Sequence, residues 1–182
     1  IQAGFMPVVA LGFAVAPVAG QNFGARLPDR VRRTFRDAVT MGAAVMALFA
    51  VLCHIAPAAL IRIFSSDPEV IAVGDEYLRI ISLNFLAVGL IFTSSSMFQG
   101  MGHTLPPLIC SSMRLVLFAL PAFLLSLRPG FQIHEVWYLS VASSAIQAVV
   151  VVLLVQREFR RRLVFAPAEI AGAVPEQPPA QA

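Results

Sequence analysis

The chain has 182 residues, 58% of them hydrophobic and only 13% charged, with a formal net charge of +3, whereas soluble domains carry about 25% charged residues. So apolar a balance excludes a soluble globular domain and points to an all-α integral membrane protein. All thirteen cations are arginine and they cluster beside the apolar runs, so the placement of the charge says more than its sign.

A bilayer core takes about 20 apolar residues of helix, and five segments meet or approach that length. The first, residues 3–19, is short and carries Pro7 and Pro17, so it is either truncated at its start or kinked near its inner end. Residues 20–36 follow, with Arg26, Arg30, Arg32, Arg33 and Arg36 close together. A loop this short and this basic is expected to stay cytoplasmic. It reads as a bent hinge on the inner surface, with Gly20 and Gly24 relaxing the backbone, Pro28 opening the next element and Asp29 capping it. The alternative, a soluble basic helix for nucleic acid, is disfavoured, because the second span, residues 38–60, follows without room for a soluble core. No nucleic-acid partner is expected; the expected surroundings are membrane lipid.

The third span, residues 77–98, follows a turn of Ser65, Ser66, Asp67 and Pro68 in which serine or aspartate caps the next helix. The fourth, residues 105–127, comes after a glycine corner at residues 99–104. The fifth, residues 136–155, begins after Arg128-Pro129-Gly130 and ends in the basic run Gln156-Arg157-Glu158-Phe159-Arg160-Arg161-Arg162. Together they make a transmembrane bundle over residues 1–163, and the proline- and alanine-rich residues 164–182 are predicted to be a disordered cytoplasmic tail. Loop charge alternates, which puts residues 20–36 and the C-terminus inside and the Ser65 and Arg128 turns outside. The first residue then falls outside with no basic stretch ahead of it, so the chain is expected to be a C-terminal fragment with at least one upstream helix. An all-arginine, alanine-rich composition fits the coding bias of a GC-rich bacterial genome, and the expected location is a bacterial inner membrane. Cys53 and Cys110, counted from their span midpoints, sit roughly 13 Å apart in depth, too far for a disulfide.

Several stretches then fall into a known order. An apolar helix leads into Gly20-Gln21-Asn22-Phe23-Gly24-Ala25-Arg26 and a long span; Phe64-Ser65-Ser66-Asp67-Pro68-Glu69-Val70 and Glu76-Tyr77-Leu78-Arg79 follow. Next come Phe98-Gln99-Gly100-Met101-Gly102-His103-Thr104 and an Arg114-bearing span with Pro121. From residue 4 to residue 162 this resembles the multidrug and toxic compound extrusion family of transporters. The resemblance implies two facing six-helix bundles that export cationic drugs or metabolites in exchange for protons or sodium ions. The chain corresponds to the second bundle without its first helix, so its expected partners are the missing N-terminal lobe and small organic cations. No cofactor is expected beyond the coupling ion. Some relatives carry an acidic cation ligand in the helix matching residues 77–98; here the middle of that span has no carboxylate.

The candidate cavity residues are Asn84, Arg114, Ser144 and Gln147. Arg114 lies near the centre of the fourth span, where a charged arginine costs about 2.5–3.5 kcal/mol on insertion scales. It either pins helices together or contacts a substrate or anion, and Asn84 and Gln147, at similar depth, are placed to hydrogen-bond its guanidinium. Ser140, Ser144 and Gln147 share one helix face, which marks close packing or a cavity lining; Ser94, Ser95 and Ser96 cannot all face one way. His54 is either a proton carrier or an interfacial residue satisfied by water or a carbonyl. Asp75 and Glu76 sit at a helix start, where the dipole favours anions.

Enzyme signatures are poor: His54, His103 and His134 lack partners at metal spacing, and Gly100-Met101-Gly102 follows a helix where a dinucleotide loop needs a strand. No enzyme is expected. The rivals are a lipid-linked oligosaccharide flippase, which more basic cavity residues would favour, and a membrane-embedded transferase, which a paired histidine and carboxylate near the cytoplasmic face would favour.

Overall fold

A computed structural model describes residues 2–128 and 131–163, and the side chains from residue 6 onward. The tail expected to be disordered, residues 164–182, and Pro129-Gly130 lie outside the described residues. Seven helices follow in order: α1 (Gln2–Gly24), α2 (Pro28–Ile55), α3 (Pro57–Arg62), α4 (Pro68–Ile81), α5 (Asn84–Gly100), α6 (Leu105–Ser126) and α7 (Ile133–Arg162).

α1 runs unbroken through Pro7 and Pro17 and packs on α5 and α2. Gly12, Ala16 and Gly20 are spaced four apart, the small-residue pattern that lets helix backbones touch. They do touch: a Cβ on Gly100 would fall 2.5 Å from the Ala16 carbonyl oxygen and 2.9 Å from Ala19 Cβ, and one on Gly20 would fall 3.0 Å from the Gly100 carbonyl. The α2–α5 crossing is similarly close, with a Cβ on Gly89 3.1 Å from Met46 Cγ.

The hinge expected over residues 20–36 is much shorter. α1 continues to Gly24, Arg26 takes a left-handed conformation (φ 55°), and α2 begins at Pro28, so residues 28–36 are helix. Proline preset at the first helical position and arginine's good helix propensity account for the difference. Asp29 does not cap; Leu27 holds that place without a side-chain bond, and Asp29 sits in the first turn, where an anion suits the dipole. At the far end of α2, residues 38–60 are not one helix. Proline disfavours helical geometry in the residue before it, and the chain breaks at Ala56, ahead of Pro57.

The third predicted span is also broken. α5 alone has 17 residues, short of the length a bilayer needs, and α4 joins it at a 50° bend. Ser82 sits in the bend, fully buried. Its Oγ donates to the Arg79 carbonyl at 3.1 Å and lies 3.0 Å from His54 Nδ1, so a serine that competes for backbone bonds also ties α2 to the bend. The partner of His54 is therefore this hydroxyl, not a carbonyl. The cap expected before α4 is Asp67, whose Oδ1 accepts from Glu69 N at 2.9 Å.

α5 is the hub, packed against α1, α2 and α7, while α6 rests chiefly on α7 and buries only Cys110. α7 does not stop at the basic run: it stays helical to Arg162, where cations suit the helix C-terminus. That extension brings Phe159 edge-to-face onto Phe35 of α2, ring centres 5.6 Å apart. The arginines of residues 30–36 and 157–162 thus share one end of the bundle. Cys53 and Cys110 are buried and free, in separate clusters: Cys53 with Met46 and Phe85, Cys110 with Phe98 and Val155. Among the described residues four helices are long and apolar enough to cross a membrane, and five spans result if α4 and α5 count as one. The architecture is an all-α membrane bundle.

Candidate functional site

α7 buries Ser144, Gln147, Ala148, Val151, Val155 and Phe159, a stripe at helical spacing. α5, its main neighbour, buries Asn84, Thr93, Ser94 and Ser96. Within this interior five side-chain oxygens have no protein hydrogen-bond partner: Asn84 Oδ1, Thr93 Oγ1, Ser94 Oγ, Ser144 Oγ and Gln147 Oε1. An unsatisfied buried polar group costs about 1–3 kcal/mol, so five of them along α5 and α7 make a costly polar belt in a bundle whose core is mainly apolar. What such oxygens can do is accept bonds from water or ligate a small cation.

Three of the four sequence candidates, Asn84, Ser144 and Gln147, fall in this belt, and Arg114 does not. Arg114 is half-buried and lines a cleft of about 200 Å³ between α6 and α7 with Ser111, Leu115, Phe118 and Ser140. The expected bonds from Asn84 and Gln147 to its guanidinium are not made, since both carbonyl oxygens are unpartnered. The shared face of Ser140, Ser144 and Gln147 divides: Ser144 and Gln147 are buried, while Ser140 is half-buried and opens on the arginine's cleft. Arg114 is the one basic residue among those lining it, short of the basic cavity a flippase reading wants.

Thr93 is a member that sequence reasoning missed. The available signal was its place four residues after Gly89, on the face that approaches α2, where Gly42 sits 3.6 Å by its would-be Cβ from Thr93 Oγ1.

Each histidine has a partner. Besides His54 with Ser82, His134 Nε2 lies 2.8 Å from Glu76 Oε2, and His103 Nδ1 lies 2.9 Å from Glu158 Oε1 at the arginine-rich end. The last is the histidine–carboxylate pair that a transferase would want. However, Arg162 Nε reaches the same oxygen at 2.6 Å, and the Glu158 side chain is only 12% exposed. Held between the His103 ring and the Arg162 guanidinium, that carboxylate is a strut tying the glycine corner to the end of α7, rather than an unpaired base. Among the described residues, no group of three or more histidine, cysteine, aspartate or glutamate side chains is placed to hold a metal ion.

The MatE family model matches residues 1–124, from α1 into α6. Over 105 residues, 58% of this chain and 23% of the other, the sequence is 28% identical to probable multidrug resistance protein NorM of Thermotoga maritima. It is 26% identical over 133 residues, 72% of this chain and 29% of the other, to probable multidrug resistance protein YoeA of Bacillus subtilis. Probable multidrug resistance protein YpnP of Bacillus subtilis is 29% identical over 104 residues. The matched stretches span about a quarter of the length of these relatives.

Proposed function

The chain belongs to the MatE family, the multidrug and toxic compound extrusion transporters, and on that premise we propose that it forms part of one lobe of a secondary antiporter in a bacterial inner membrane. In this reading the protein exports organic cations against an inward flow of protons or sodium ions. The observation that carries it is the belt of Asn84, Thr93, Ser94, Ser144 and Gln147: unpartnered oxygens inside an apolar bundle suit a path for water and small cations better than they suit a packed core. Alternating access needs two bundles or repeats moving about a shared midplane site. The described carboxylates sit toward the two ends of the bundle, Asp29, Asp37 and Glu158 at one and Asp67, Glu69, Asp75, Glu76 and Glu135 at the other. The group that binds the coupling ion therefore belongs to the N-terminal lobe in this proposal.

Ethidium efflux from a pump-deficient bacterium under an imposed proton or sodium gradient tests the reading. The longer protein containing this chain should give gradient-dependent efflux, and the 182-residue chain alone should give none. Efflux by the chain alone would overturn the assignment to one lobe, unless crosslinking showed two copies paired.

The gathering of arginines at the Phe35–Phe159 end supports an orientation with that end in the cytoplasm. With cysteine introduced at Pro28 or Asp67 in the longer protein, a membrane-impermeant thiol reagent applied outside should label position 67 and spare position 28. Labelling in the opposite sense would reverse the topology.

A further inference from the structure

α7 has two faces that differ along its length. One buries Ser144, Gln147, Val151, Val155 and Phe159. The other runs through Ile146, Val149 and Leu153, all exposed and spaced so that they lie one above the other on the helix. This second face continues one turn on, roughly 6 Å along the axis, into Arg157, with Arg160 and Arg161 one turn beyond it, all three exposed. Residues three and four apart are neighbours on a helix surface. An aliphatic stripe therefore ends in three adjacent guanidiniums.

Those charges are unbalanced. Like charges at this spacing repel, and the nearby carboxylate, Glu158, is no help: it is mostly buried and already held by His103 and Arg162. Arg157, Arg160 and Arg161 have no ion pair among the described residues. The arginines of α2 differ, because Asp37 lies 3.5 Å from Arg33 and 3.7 Å from Arg36 and neutralises part of their charge within the helix. The α7 cluster thus needs an anion, and its stripe needs an apolar cover. A phospholipid supplies both, since phosphate oxygens accept paired bonds from guanidinium while the acyl chain covers aliphatic side chains. A zwitterionic headgroup brings its own ammonium into the cluster, so a headgroup with net negative charge fits better.

We propose that the exposed face of α7 is a binding site for one anionic phospholipid. Its phosphate sits among Arg157, Arg160 and Arg161, and an acyl chain lies along Leu153, Val149 and Ile146. The site is independent of the export reading, for it requires only that the bundle stand in a bilayer. It gives these arginines a ligand in addition to their part in orientation.

The test uses the longer protein containing this chain, reconstituted in vesicles, with Leu153→Trp as the reporter and its emission taken as the difference from the protein that keeps Leu153. Brominated acyl chains quench a tryptophan that they touch, so mixtures of brominated phosphatidylglycerol or phosphatidylcholine with the unbrominated other lipid give the relative affinity at this one position. Phosphatidylglycerol should be preferred about tenfold. Arg157→Gln with Arg160→Gln should bring the preference close to one, and Arg157→Lys with Arg160→Lys, which keeps the charge but loses the planar fork, should fall between. Arg62→Gln, at an exposed arginine toward the opposite end, should change nothing. Equal affinity for the two lipids, a preference that survives the double glutamine variant, or one that Arg62→Gln removes as well, overturns the site. Absence of quenching by either lipid would show that protein covers the stripe, and loss of the preference in excess inorganic phosphate would show a site for the soluble anion; both outcomes also overturn it.

Discussion

Replacing Gly100 by alanine is expected to destabilise the bundle by about 1–3 kcal/mol, the range for overpacking a tight interior, and replacement by valine by more. The added Cβ would stand 2.5 Å from the Ala16 carbonyl oxygen and 2.9 Å from Ala19 Cβ. One neighbour is backbone and the other has no rotamer to change, so relief requires α1 and α5 to separate, and with them the contacts that center the bundle on α5. Gly24→Ala is the control: nothing lies within 4 Å of its Cβ position, and alanine is the better helix former. Thermal unfolding in detergent, read by circular dichroism, checks both. Equal midpoints for Gly100→Ala and Gly24→Ala would mean that the α1–α5 contact is looser than described.

Arg114→Ala is expected to lower efflux by about tenfold or more, the equivalent of losing one hydrogen bond from a charged group at about 1.5–3 kcal/mol. Arg114→Lys should fall between, because it keeps the charge but loses the planar fork of donors. The expectation rests on position: a guanidinium well inside an apolar helix, opening on a cleft that offers it the hydroxyl-bearing residues Ser111 and Ser140. Efflux by the longer protein carrying each variant, measured at matched expression, decides. Normal efflux by both variants would show that Arg114 faces a tolerant surface, and loss of protein instead of loss of efflux would make it a helix-pinning residue.

Much of this was legible in the residues, for physical reasons that also mark the limits. Runs of apolar residues revealed the helices, because a bilayer demands length and hydrophobicity of each helix separately. Asp67 was readable as a cap because capping is decided within a few residues. The bend at Ser82 was not readable, since serine inside an apolar run is ordinary and only His54, from another helix, gives it a second partner. The same holds for Glu158. Its neighbours in sequence are arginines, and nothing local says that His103, from the corner before α6, completes its environment. Among the site candidates, polarity in an apolar context singled out Asn84, Ser144 and Gln147, and burial was the part it could foretell. Their separation from Arg114 was hidden, because residue counting gives depth and not the direction in which a helix face points.

The placement of α6 has a consequence for how the chain is made. Its main neighbour is α7, which follows it in the chain, so α6 reaches the bilayer ahead of the helix that shelters it, and Arg114 ahead of Ser140. The helix tolerates this on its own composition: its leucine, isoleucine, valine and phenylalanine residues contribute about 0.3–0.6 kcal/mol each toward insertion and together offset the cost of one central arginine. A second charge introduced in α6, at about 2.5–3.5 kcal/mol, would consume most or all of that margin and hinder insertion. The tolerance of this helix to substitution is therefore set during biosynthesis, ahead of any contact seen in the finished bundle.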